Sequence, residues 1–168
     1  MSPIIRFVSI LALGASITLT GCASRVPQGI TQASIAHAHP VPVAVKAITS
    51  SYSGMLKDEE FHKAITDSIQ STKVFTGVSE DAKVSLKVVL ESWQADSFGI
   101  GMDGKSVTVW TVTANGKSFE KVIVGKASKG FTDAFMAENR TRIAARAALE
   151  DGIKVGLEWI GTLHLKTP

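Results

Sequence analysis

A chain of 168 residues with 45% hydrophobic, 20% charged and 7% aromatic side chains, and 18 Lys+Arg against 15 Asp+Glu for a formal charge of +3, has the composition of one ordinary globular domain. It is too apolar for a disordered chain, has no apolar run of the roughly 20 residues a membrane-spanning helix needs, and its one cysteine cannot close an internal disulfide. The charge is too small and scattered for nucleic-acid binding, since no Lys/Arg cluster interleaves with aromatics that could stack on bases.

The first 22 residues read as an export signal. Arg6 supplies positive charge, residues 7–19 form an apolar stretch, and small residues lead to Cys22. The four positions Leu19-Thr20-Gly21-Cys22 resemble the lipobox of bacterial lipoprotein signal peptides. That resemblance implies that residues 1–21 are removed, that the Cys22 thiol receives diacylglycerol, and that the new amino group is acylated. Two or three acyl chains hold a protein stably on a bilayer, at about 0.8 kcal/mol per buried CH₂, whereas one chain binds marginally. Ala23 follows the cysteine where an aspartate would signal inner-membrane retention, so the resemblance implies the periplasmic face of the outer membrane.

Residues 23–42 shift to Ala, Ser, Gln, His and three prolines without helical or strand period, which predicts a flexible tether following Cys22. Fully extended, such a tether reaches roughly 65 Å. The globular domain is then expected over residues 43–165, with no internal repeat. Residues 41–48 alternate Val41, Val43 and Val45 with Pro42 and Lys46, a first strand that its proline places at an edge. Asp58-Glu59-Glu60 put negative charge where a helix N-terminus is partially positive, and Phe61, Ala64, Ile65 and Ile69 fall on one stripe. A helix of about fourteen residues follows from that pattern. Residues 72–78 make an exit turn and a short apolar return, with Phe75 set to cap the core beneath the helix.

Val84, Leu86, Val88 and Leu90 alternate with Ser85, Lys87 and Glu91, the pattern of a strand with one buried face. A second strand runs through Val107, Val109, Trp110 and Val112, and a third covers residues 119–124. Asn115-Gly116 between them most readily supplies the positive φ angles of a type I′ hairpin turn. Residues 97–104 hold three glycines and read as a longer connection or an irregular strand end. The last third is helical, with Ile143, Ala147, Ile153, Leu157 and Ile160 near the 3.6-residue period, and Arg140, Arg142, Arg146 and Lys154 free to face water. Alanines 144, 145, 147 and 148 let this helix lie close on a sheet. The order β-α-β-β-β-α predicts an α+β sandwich with two helices on one face of an antiparallel-rich sheet.

Several segments together resemble small bacterial envelope lipoproteins of the YajG type: Phe61-His62-Lys63-Ala64-Ile65 with Ser68-Ile69 and Val74-Phe75, the strands around Leu86 and Trp110, and Arg140-Thr141-Arg142-Ile143-Ala144 with Gly152-Ile153. A looser similarity is to auxiliary lipoproteins of lipid-transporting ABC systems. The resemblance lies in apolar spacing and short motifs, not in a catalytic signature. Some relatives carry the label UDP-N-acetylglucosamine acyltransferase, but this sequence has no hexapeptide repeat for a left-handed β-helix, and an exported chain would not meet a cytoplasmic acyl carrier.

Candidate sites are few. His37 and His39, with His62 and His164 as distant partners, are a weak metal pattern, and the expectation is no metal and no cofactor. No serine sits in a Gly-x-Ser-x-Gly elbow. Gly99-x-Gly101-x-x-Gly104 spells a dinucleotide fingerprint, but a hairpin strand follows where a helix is required. Trp93, Phe98, Ile100 and Met102 form either an exposed apolar edge suited to a partner or lipid, or the closed end of the sandwich. Arg140, Arg142 and Arg146 could bind phosphate headgroups or an acidic partner, although a solvated helix face is the simpler reading. The favoured function is a non-enzymatic, lipid-anchored envelope interaction or assembly module with a protein partner. The alternatives are an accessory lipoprotein of a lipid- or polysaccharide-transport system and, less favoured, a small periplasmic enzyme.

Overall fold

The computed structural model describes residues 27, 29–30, 32–50, 56–98, 101–130 and 137–165. Cys22 and Ile100, and the side chain of Phe98, lie outside the described part. Seven elements follow one another: β1 (His39–Thr49), α1 (Asp58–Thr72), β2 (Phe75–Val78), β3 (Val84–Phe98), β4 (Gly101–Ala114), β5 (Lys117–Lys129) and α2 (Ala137–Ile160). They form a five-stranded sheet of order β2-β1-β3-β4-β5, with both helices on one face. The α+β class and two-helix layer agree with the sequence reading, and the short apolar return after α1 adds a strand, β2.

β1 is not the edge that its prolines suggest. It pairs in parallel with β2 over its first half and with β3 over its second, the change coming at Val43. The chain therefore crosses from one side of β1 to the other there, and the Ser79 amide donates to the Val43 carbonyl at 3.0 Å. The β1–β2 register shifts between His39 and Pro42, and on the other side of β1 pairing with β3 begins only at Val43. Proline lacks a donor, and both prolines fall in this irregular stretch, where no described strand pairs on the β3 side.

The residues ahead of β1 are also tied down. The Ile30 amide donates to Ser68 Oγ on α1 at 2.8 Å, the Ser34 amide to Glu158 Oε1 on α2 at 2.9 Å, and the His37 amide to the Gly161 carbonyl at 3.0 Å. Ile30 and Ile35 pack on the core, and Pro27 is buried. The helices hardly touch each other, so this arm bridges them and covers apolar surface that an unattached tether would leave wet. The described part of the predicted tether is thus a docked arm, and β1 starts within it.

α1 begins as its charges require, with Asp58, Glu59 and Glu60 in the first turn and the Glu60 carboxylate accepting from the Lys57 amide at 3.1 Å. It ends at Lys73, in the left-handed region at φ 55°. Phe75, 1% exposed, closes the core below. At the other end of α1, Asp58 accepts from both the amide (2.7 Å) and the hydroxyl (2.6 Å) of Thr49, which ties the end of β1 to the start of the helix.

The meander β3-β4-β5 is antiparallel, and Asn115 and Gly116 take φ angles of 50° and 74° at the expected hairpin turn. Residues 97–104, read as a longer connection or an irregular strand end, are largely strand, since β3 runs to Phe98 and β4 starts at Gly101. α2 lies over β3, β4 and β5 on a stripe of Ala144, Ala145, Ala148, Leu149, Ile153, Leu157 and Ile160, one step round the helix from Ile143 and Ala147 at its N-terminal end. Gly125 of β5 faces Gly152 and the Ala148 carbonyl with no room for a methyl, and the Trp110 indole occupies the space over Gly156. Sheet side chains also donate into the helix backbone: Ser106 Oγ to the Ala148 carbonyl at 2.9 Å and Trp93 Nε1 to the Ala145 carbonyl at 2.5 Å.

Two predictions follow from this packing. Gly125→Ala should cost roughly 1–3 kcal/mol in denaturant unfolding by pushing α2 off the sheet, while Gly77→Ala, where nothing lies within reach of the added methyl, should be near neutral. The Thr49 hydrogen bonds hold the Asp58 carboxyl below its usual range, so on acidification the unfolded chain takes up this proton before the folded one does. The contribution is whole above roughly pH 4 and is lost as pH falls through the folded value, so Asp58→Asn should flatten that acid limb in a pH series of thermal melts.

Candidate functional site

Of the two readings of this end of the sheet, an exposed apolar edge or the closed end of the sandwich, Trp93 and Met102 follow the second. Trp93 is 8% and Met102 5% exposed, and both face α2. The physical reason is a bulge: the β3–β4 register shifts between Leu90 and Ser92, and one extra residue exchanges the two faces of a strand. Before the bulge Val84, Leu86, Val88 and Leu90 point to the helices; after it, Trp93 does. Met102 sulfur accepts from the Thr141 hydroxyl at 3.5 Å.

The arginine row is likewise not a free basic face. Arg140 is 8% exposed, contrary to the expectation that it faces water. Arg142 pairs with Glu138, and Arg146 donates to Glu150 at 2.8 Å, both one helical turn apart. The guanidinium groups of Arg142 and Arg146 thus meet carboxylates of their own helix. Trp93 and Arg142 do come together, on the wall of a cavity of about 290 Å³ between β3 and α2 that Ala95, Ala145, Thr141 and Glu138 complete.

The histidines separate. The rings of His37 and His164 lie 5.5 Å apart between centroids, whereas the His39 ring approaches the Ile160 carbonyl at 3.0 Å and packs on Phe75. Among the described residues no group of three or more His, Cys, Asp or Glu side chains could hold a metal ion.

The surface that sequence reasoning missed is the sheet face opposite the helices. Ile48, Val89, Val109 and Val122 stand in one row across β1, β3, β4 and β5, with Val107 and Val124 in the next. Val122 is 58% and Val124 41% exposed, and the other four are half-buried among their neighbours. On one side of this band comes a row of Lys46, Lys87, Thr111 and Glu120; on the other, Lys105 stands opposite Lys126. A detectable signal was present, since β4 and β5 carry valine at Val107, Val109, Val122 and Val124 in strands whose alternate positions, from Trp110 and Val112 to Ile123, are apolar too. Chemically the face offers dry contact area with fixed charges on its borders.

No family model and no curated protein matches the chain. Among solved structures it is similar to protein XCC0632 from Xanthomonas campestris, described under the family label DUF330, with a TM-score of 0.53 and 10% identity over 80% of this chain and 91% of that one. The hypothetical protein CT253 from Chlamydia trachomatis is similar with a TM-score of 0.53 and 7% identity, over 73% of this chain and 96% of that one. At these identities the likeness is one of fold.

Replacing Trp93 by phenylalanine should cost roughly 1–3 kcal/mol, because the Ala145 carbonyl loses its indole donor while the cavity wall keeps a ring; chemical denaturation checks this.

Proposed function

We propose that this protein is a non-enzymatic envelope lipoprotein, held on the periplasmic face of the outer membrane through acylated Cys22, that works as an interaction or assembly module through the bare face of its sheet. The observation that carries the reading is the apolar band across four strands on the face that no described helix covers. An antiparallel sheet with one solvated face normally alternates apolar inward with polar outward, and a contiguous outward valine row departs from that economy. The lipobox supports the anchor. With Pro27 buried in the domain, Cys22 is five residue steps away, at most about 17 Å. The domain then works close to the lipid surface rather than at the end of a long tether.

A second reading, an accessory lipoprotein of a lipid- or polysaccharide-transport system, is favoured by the cavity that Trp93 and Arg142 share. Its wall of Trp93, Ala95 and Ala145 suits an acyl chain, with the Arg142–Glu138 ion pair at its border.

In-cell photo-crosslinking separates these readings. A benzophenone amino acid at Val122 should yield discrete protein adducts in the membrane fraction, and the same probe at Gln94, beside the cavity, should yield none. Lipid adducts from Gln94 with none from Val122 would favour the transport reading. Mass spectrometry of the N-terminal peptide should show acylated Cys22, and Cys22→Ser should release the protein from the membrane; a Cys22 found unmodified in a soluble protein would overturn the anchor.

A further inference from the structure

The charges on the bare face are arranged at a cost to the monomer. Lys46 stands directly opposite Lys87, and Lys105 directly opposite Lys126, and like charges facing across paired strands destabilise a sheet. Lys105 and Lys126 have the carboxylates of Asp96 and Asp103 in the next row, but the row of Lys46 and Lys87 has its only acid, Glu120, at its far end beyond Thr111. The row thus reads plus, plus, neutral, minus from β1 to β5. Rows of that kind are self-complementary under a two-fold rotation.

We propose that the bare face is the interface of a two-fold dimer, its occupant a second copy of this chain. The axis runs parallel to the strands, midway between β3 and β4, so that rows keep their height and β1 meets the partner's β5. Glu120 of one protomer then lies over Lys46 of the other, and by symmetry the reverse, so each lysine pair gains a carboxylate it lacks in the monomer. In the next row Ile48 meets Val122 and Val89 meets Val109, which covers the apolar band. Aligned sheets pack face to face in this way at about 30° and roughly 10 Å. The Asp96 and Asp103 row sets acid against acid beyond the end of β1, a cost that Lys105 and Lys126 in the adjoining row offset. An axis along the strands can coincide with the membrane normal, so both acyl anchors can enter one leaflet.

This inference rests on the bare face being the interaction surface, and it is independent of acylation. Sedimentation velocity on protein purified in mild detergent, and on the Cys22→Ser form without detergent, should show a concentration-dependent dimer in both. Val122→Lys should leave a monomer with an unchanged thermal melt, since Val122 is an exposed position. Lys46→Glu and Glu120→Lys should each weaken the dimer by about tenfold, and the double swap should restore it to within about threefold of the wild type. A monomer at all concentrations would overturn the proposal and leave the face to an unlike partner or to solvent. A dimer that Val122→Lys and both charge reversals leave intact would equally overturn it, because the interface would lie elsewhere.

Discussion

Close approach of α2 to the meander is the constraint on which the rest of the molecule depends. Alanines along the helix and Gly125 against Gly152 remove the side chains that would hold helix and sheet at ordinary distance, so backbone meets backbone. That proximity lets Ser106 and Trp93 donate directly to helix carbonyls, and it places the Trp110 ring in the space over Gly156. Buried polar groups of the sheet are thereby satisfied by the helix backbone, which sets its height and rotation together.

A second constraint acts at β1, where the change of partner at Val43 lets a strand with two prolines occupy the interior of the sheet. The same crossing leaves β2 short, so a four-residue strand forms that edge and presents little unpaired backbone. The arm before β1 then bridges the helices through Ser68 and Glu158 and fills the helix layer between them.

This asymmetry shapes the functional reading. The helix layer pairs its arginines and tucks away Trp93 and Met102, whereas the open layer displays valines bordered by unbalanced lysines. The cavity between β3 and α2 is lined by an indole, two alanines, Gln94, Thr141 and one ion pair, and the lysines are spread over the sheet.

The sequence by itself determined whatever depends on neighbours within a few residues: the acidic start of α1, the alternation from Val84 to Leu90, the Asn115-Gly116 turn, and the alanines that press α2 onto a sheet. Local propensity and periodicity carry those features, because the atoms that decide them are adjacent in the chain. Only the tertiary structure decided that β1 is interior, that Arg140 is buried, that Trp93 turns inward, and that the valines of β4 and β5 join Ile48 and Val89 in one outward band. Each of these depends on register. A single bulged residue after Leu90 exchanges the faces of β3, and which strand lies beside which is set by pairing between residues far apart in sequence.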